Sequence, residues 1–274
     1  MHNITDLCAL VIRLQIGQDT LASIGRSSHP QALFLELIRR ANPTLFRDLH
    51  QDGHSKPFTV SVISTNPSGC GPDTAQIDLR VTLLQAGLVA SVSEALLQYV
   101  SLPITQSEPT GMIVINVFDK SEQHPWAGFI SAADLMTTVE PTDKLTLEFV
   151  RLTAFGQGSD SGGKKRLGMM PAPETVFGSL ARRWNELMPA TYALDMEKLK
   201  AATADTLVSA YHLETQMQDL GVGIQKGFVG TCTYELSRDP VHRQMLTLLA
   251  DASFYLGIGI KTARGMGLCR RIHK

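Results

Sequence analysis

Gly257-Ile258-Gly259-Ile260-Lys261-Thr262-Ala263-Arg264-Gly265-Met266-Gly267 sets two Gly-x-Gly pairs on either side of a five-residue insert bearing Lys261, Thr262 and Arg264. Glycine admits backbone with φ > 0 and close approach to a ligand, and successive exposed N–H groups form an anion-binding concavity. Two cations between the pairs make phosphate the expected guest. Three readings compete: a phosphate-binding loop, a dinucleotide-binding fingerprint, and a glycine-rich hairpin with no ligand. The fingerprint must open a helix inside a βαβ unit. The seven residues Leu268 to Lys274 leave no room for that helix and its second strand, so context decides between the other two.

Immediately before this stretch, Asp239-Pro240 caps a helix reaching about Tyr255, with Val241, Met245, Leu248, Leu249 and Ala252 at buried spacing. Before that lie two long strands, Thr206 to Gln218 and Val222 to Leu236, around Asp219-Leu220-Gly221. A helix opened by Pro173-Glu174 carries Val176, Phe177, Leu180, Trp184 and Leu187 inward, which places Arg182 and Arg183 on its outer side. It follows a strand, Leu145 to Thr153, and a glycine-rich loop from Gly156 to Gly168 holding Lys164-Lys165-Arg166. Leu268 to Ile272 closes the set, giving the order β-α-β-β-α-β. Arg270 and Arg271 alternate along this last strand, so only one of them can point toward the glycine-rich stretch.

The first half repeats that order. Leu7 to Gln15 reads as a buried strand, and Pro30 opens a helix with Leu33, Phe34, Leu37, Ile38 and Ala41 on its core face. Asn42-Pro43 starts a shorter helical piece ending near His50. Pro57 to Ser64 and Gln76 to Leu84 read as strands flanking a turn-rich loop, Leu88 to Val100 as a helix, and Met112 to Phe118 as a strand. The fold expected is therefore α+β: two tandem ferredoxin-like (βαββαβ, RRM-like) domains, residues 1–140 and 141–274, with a C-terminal glycine-rich loop. The orders match, but no sequence repeat accompanies them.

Composition narrows the partners. The chain has 274 residues, 43% of them apolar, enough to fill such cores. No apolar run approaches a membrane span, and Met1 to Asp6 lacks a signal-like basic start, so a cytoplasmic protein without a membrane partner is expected. Cys8, Cys70, Cys232 and Cys269 form no C-x-x-C pair and read as reduced thiols. The formal net charge of −1 conceals an asymmetry: residues 1–140 hold 8 Lys+Arg against 13 Asp+Glu, and residues 141–274 hold 17 against 13. A polyanion needs only a local basic surface, because distant charges are screened.

Three stretches carry a family resemblance. They are Gly257 to Gly267; Asn42-Pro43 through Leu49-His50 into Lys56-Pro57-Phe58-Thr59; and Pro171-Ala172-Pro173-Glu174-Thr175-Val176-Phe177 with Arg182-Arg183-Trp184-Asn185. Together they resemble the RAMP superfamily of CRISPR-associated proteins and, within it, the repeat-processing endoribonuclease known as the Cas six family. The resemblance implies metal-independent, cofactor-free cutting of the repeat in a CRISPR precursor RNA. The ribose 2′-OH attacks phosphorus and leaves a 2′,3′-cyclic phosphate and a 5′-OH. It also implies CRISPR repeat RNA or mature guide RNA as partner, with other proteins of an effector complex and a homodimer as open expectations.

Such a reaction needs groups that take the 2′-OH proton, protonate the leaving 5′-oxygen and stabilise the phosphorane. His50 keeps the family's spacing after Asn42-Pro43. Its place at the C-terminal end of a helix suits a proton donor, and that of His29 at a helix start suits a base. Lys56 is expected to stabilise the phosphorane charge, and His54 is a weaker candidate. His2, His124, His212, His242 and His273 read as incidental. The tyrosine that some family members carry in their first helix has no equivalent between Leu33 and Ile38.

RNA binding is expected from Lys164, Lys165 and Arg166, and from Gly257, Gly259, Lys261, Thr262, Arg264, Gly265 and Gly267; no metal ligands are expected. Few aromatics flank these cations, so recognition should rest on phosphates and shape. The alternative from another class is a non-catalytic RAMP subunit that holds a guide RNA in an effector complex.

Overall fold

The computed structural model describes residues 6–17, 30–50, 56–66, 74–101, 112–159, 162–163, 165–220 and 223–273. His29, His54, Cys70 and Lys164 fall outside them. In the first half the chain runs β1 (Asp6–Gly17), α1 (Pro30–Ala41), α2 (Pro43–His50), β2 (Phe58–Asn66), β3 (Thr74–Leu83), α3 (Ala86–Ser101) and β4 (Ile113–Phe118). The strands hydrogen-bond in the order β2-β3-β1-β4, all antiparallel. That is the ferredoxin-like arrangement the order of elements predicts.

Alternation explains the packing. Cys8, Leu10, Ile12, Leu14 and Ile16 of β1 share one face with Phe58 and Val60 of β2 and Ile77, Leu79 and Val81 of β3. Against that face pack Leu33, Phe34, Leu37 and Ile38 of α1 and Val92 and Leu96 of α3. The opposite face is polar but also covered: Thr59, Ser61, Asp78, Arg80 and Thr82 are all buried. A single-sheet domain facing water would not bury such a row, so something must lie on it.

The cover comes from the second half. After β5 (Gly128–Ser131) and α4 (Ala132–Thr138) come β6 (Lys144–Thr153), β7 (Phe155–Ser159), β8 (Lys165–Gly168), α5 (Pro173–Leu187) and α6 (Met196–Ala204). Then follow β9 (Leu207–Asp219), β10 (Ile224–Glu235), α7 (Pro240–Leu256), a 3-10 turn (Thr262–Arg264) and β11 (Cys269–Ile272). The second sheet is ordered β11-β6-β10-β9, the same permutation as the first. Its core gathers Trp184, Phe177, Phe149, Phe228 and Leu249, and also takes in Leu7, Leu84, Ala132 and Leu135 from before residue 140. The two halves therefore share one core at their seam.

Two expectations are corrected here. The segment from Gly156 to Gly168 contains the antiparallel hairpin β7–β8 rather than only a loop. Val241 is 57% exposed, because Asp239 caps the first turn of α7 at the surface and the buried stripe begins at Met245. The segments β5, α4 and α6 had no counterpart in the sequence reading. Among the described residues no helix is long and apolar enough to cross a membrane.

Candidate active site at the seam between the halves

Helix α2 starts where Asn42 accepts a hydrogen bond from the Leu45 N–H (3.0 Å) and Pro43 supplies a preset first residue. It ends at His50, which is exposed with its ring 5.3 Å from that of Phe46 one turn earlier. The ammonium of Lys56 donates to the Leu49 carbonyl at 2.9 Å. An unpaired carbonyl at a helix C-terminus is where a cation is stabilised. The bond fixes Lys56 one residue from His50, so the structure brings together two of the three expected catalytic residues. The third, His29, lies outside the described residues, but Pro30 beside it is placed: a Cβ on Gly265 would stand 2.9 Å from its ring. The glycine-rich stretch therefore packs against the start of α1.

The backbone of that stretch is a folded knot. Gly257, Gly259, Gly265 and Gly267 all have positive φ, at 64°, 77°, 102° and 72°. A Cβ on Gly259 would sit 2.3 Å from the Ala154 carbonyl oxygen, and one on Gly267 2.1 Å from that of Ile258. Glycine is needed at both for conformation and for space. The N–H groups are largely engaged inside the protein. Gly257 donates to Ser253 O, Ile258 to Gly267 O, Ile260 to Ala154 O, Gly267 to Leu152 O, and Gly259 to the Ser179 hydroxyl.

The amides of Gly257, Ile258, Gly259, Ile260 and Gly267 are therefore not the open ones expected: they hold the stretch against β6, α5 and α7. Thr262 is buried too, its methyl packed toward Gly257 and Gly267, and Ala263 joins the first core. What remains outward is the pair of cations. Lys261, held left-handed at φ 57°, donates to Gln225 at 2.5 Å. The side chain of Arg264 is partly exposed and makes no hydrogen bond or ion pair among the described residues. The hairpin β7–β8 leaves from the same knot, through Ala154, and carries Lys165 and exposed Arg166.

A residue expected elsewhere completes the seam. Arg183 is half-buried, and its guanidinium donates to the carbonyls of Lys56 (3.1 Å) and Phe58 (3.3 Å). It was expected on the outer side of its helix, yet it stands seven positions after Val176, and helical spacing returns that position to the buried stripe. Burial pushes this guanidinium down to about 10. Arg183 thus reaches from the second half to the backbone that carries Lys56.

Other cations are committed elsewhere. Arg270 pairs with Glu148 (2.7 Å) and lies 4.4 Å over the Trp126 ring, and Arg271 pairs with Asp251 (3.0 Å). His124, expected to be incidental, sits 3.7 Å from Asp78 and stacks on Phe118. Among the described residues no group of three or more His, Cys, Asp or Glu side chains is placed to hold a metal ion.

Known proteins resemble this chain in sequence and in fold. The family model for the CRISPR-associated endoribonuclease Cas6 matches residues 147–269, and no curated protein sequence matches the chain. Among solved structures, the Cas6 (TTHB231) product complex is 28% identical, covering 97% of this chain and all of that one, with a TM-score of 0.78. Thermus thermophilus Cas6 (TTHB231) is 25% identical over 98% of this chain and 99% of that one, TM-score 0.74. A RAMP protein binding different RNA substrates, 14% identical with a TM-score of 0.56, shares the fold. Sequence over residues 147–269 and fold over nearly the whole length agree, and both are similar to the CRISPR-associated endoribonuclease Cas6.

Proposed function

We propose that this chain cuts CRISPR precursor RNA within its repeats by 2′-OH attack, at the seam between residues 1–140 and 141–274. His29 takes the proton from the 2′-OH as that oxygen bonds to phosphorus. The bond to the 5′-oxygen breaks, and His50 protonates the departing oxygen. Lys56 offers positive charge to the phosphorane. No metal or cofactor takes part, and the products are a 2′,3′-cyclic phosphate and a 5′-OH. Lys261, Arg264 and the Lys164-Lys165-Arg166 segment hold the phosphates, with Thr262 and the four glycines shaping the knot that presents them. The enzyme acts in the cytoplasm and passes its product to an effector complex.

The observation that carries this reading is the Lys56 ammonium seated on the Leu49 carbonyl, which holds a cation beside His50 at the open end of α2. The test is cleavage of the repeat RNA of its own array in excess EDTA. Wild type should cut and leave a cyclic phosphate, and His50→Ala should slow cutting by roughly 10²- to 10⁴-fold. A 2′-deoxy substitution at the scissile nucleotide should block cutting but not binding. No cutting by wild type in EDTA would overturn the metal-independent enzyme, and an unchanged His50→Ala rate would overturn the site.

A further inference from the structure

Strand β11 ends the second sheet, and alternation sends Arg270 and Arg271 to opposite faces of it. Around this edge lies a cavity of about 620 Å³ lined by both arginines, by Glu148 of β6 and by Asp251, Phe254 and Tyr255 of α7. That volume falls within the roughly 300–1,000 Å³ of small-molecule sites. Among the described residues, none of His50, Lys56, Lys261 and Arg264 lines it. On the sheet face, Arg270 donates through Nε to one oxygen of Glu148 (2.7 Å) and is braced 4.4 Å over the Trp126 ring. The terminal amino groups of Arg270 and the second oxygen of Glu148 make no hydrogen bond among the described residues, and the two side chains stay 38% and 31% exposed. The ion pair thus fixes a fork of donors beside one acceptor. On the helix face, Arg271 donates through Nη1 to both oxygens of Asp251 (3.0 and 3.1 Å), which leaves its Nε and Nη2 over. Ile130 and Leu135 add an apolar wall.

We propose that this cavity is a guanine nucleotide site separate from the cutting site, with Arg270 and Glu148 reading the base and Arg271 holding a single phosphate. Charge sets the size of the guest. Two guanidinium groups face two carboxylates, so the cavity lacks the excess of cations that a polyphosphate or a run of RNA backbone requires. Hydrogen bonding sets the base. Guanine places the acceptors N7 and O6 next to the donor N1–H, and a guanidinium fork on O6 and N7 is the commonest specific contact to that base. The open oxygen of Glu148 then accepts from N1–H. Adenine and cytosine carry an amino donor where guanine has O6, which would set N–H against the fork, and uracil has no second acceptor for it. A planar base also fits against the rings of Phe254 and Tyr255. The guest is either a free guanosine monophosphate or one unstacked guanosine of a bound RNA, since both present the same edge.

The test is independent of the cutting reading, because it measures binding to the full chain without RNA. Isothermal titration calorimetry with GMP should show saturable binding, about ten-fold tighter than AMP. Glu148→Gln keeps the shape of the side chain but sets an amide donor against N1–H, and it should bring GMP down to the level of AMP. Arg271→Met should weaken GMP by about ten-fold and leave guanosine unchanged, a split that a general loss of structure would not give. Arg264→Ala, outside the cavity, should bind GMP as wild type does. Titrating repeat RNA into the chain with and without saturating GMP then assigns the source. Weaker RNA binding in GMP and in Glu148→Gln identifies a guanosine of the RNA, and unchanged RNA binding identifies the free nucleotide. No saturable GMP binding up to about 5 mM, equal binding of GMP and AMP, or GMP binding indifferent to both Glu148→Gln and Arg271→Met would overturn the proposal.

Discussion

Each half of the molecule sends one arginine toward the other, Arg80 fully buried and Arg183 half-buried, and the two have different surroundings. Arg80 of β3 donates to the Trp126 carbonyl (3.0 Å) and the Phe254 carbonyl (2.6 Å), with the rings of Phe254 and Trp126 4.4 and 5.6 Å from its guanidinium. Arg183 of α5 crosses in the opposite direction, to the carbonyls of Lys56 and Phe58. Burial lowers both, Arg80 to about 9 and Arg183, against the opposing charge of Glu186, to about 10. Both stay charged at neutral pH, because guanidinium is too basic to lose its proton there. Arg80 lies among aromatics at the joint. Arg183 lies at the entry to β2, on the backbone of Lys56 and Phe58. One physical device, a guanidinium solvated by backbone carbonyls, occurs twice at the seam.

The largest expected effect tests the seam itself. Gly267→Ala would force a side chain onto positive φ and onto the Ile258 carbonyl, costing about 4 kcal/mol in thermal or urea unfolding. A variant as stable as wild type would mean that the knot is not a fixed support. Arg80→Met keeps most of the volume but leaves two buried carbonyls unpaired. It should cost about 3 kcal/mol while the surviving folded protein cuts at the normal rate. A cutting defect without a loss of stability would erase the contrast with Arg183.

The smallest effect contrasts two aspartates, one from each half. Burial alone would raise Asp78, but the hydrogen bonds from Arg13 and Ser64 and the Arg13 charge outweigh it and hold it below the ordinary value. At Asp251 burial wins over the pairing with Arg271, and its carboxyl is raised. The signs are opposite. The contribution of Asp78 is fully present above the ordinary aspartate range and is lost as pH falls through its lowered value. That of Asp251 is present below the range and is lost as pH rises through its raised value. Between about pH 3 and pH 6, Asp78→Asn should flatten the rise of Tm with pH, and Asp251→Asn should steepen it. Identical slopes in both variants would sink this distinction.

Both β-α-β-β-α-β orders were legible because each strand and helix carries its own period, from Cys8-Leu10-Ile12-Leu14 to Val176-Leu180-Trp184. The glycine knot was legible as a stretch under backbone constraint, since only glycine suits four such φ values. Its purpose was harder to read. Whether an amide faces a ligand or the protein's own Ala154 depends on packing against distant residues, which spacing does not encode. The four-residue strand β5 was missed because Gly-Phe-Ile-Ser is too short to show a period. Arg183 was misplaced because a charge beside an apolar stripe is usually solvated, and here the solvent is the Lys56 and Phe58 backbone. The pairing of Lys56 with Leu49 was equally hidden, since a separation of seven residues in sequence fixes no distance in space.

The most direct test of this arrangement is single-turnover cleavage of the repeat RNA by Arg183→Met, measured alongside its affinity for the same RNA. If the second half positions Lys56 and His50 through Arg183, the cutting step should slow by about ten- to a hundred-fold. Affinity should stay within about two-fold, because the cations proposed to hold phosphates are untouched, and Arg183→Lys should recover part of the rate. Unchanged cutting at unchanged affinity, or an equal loss of both, would contradict a site positioned across the seam.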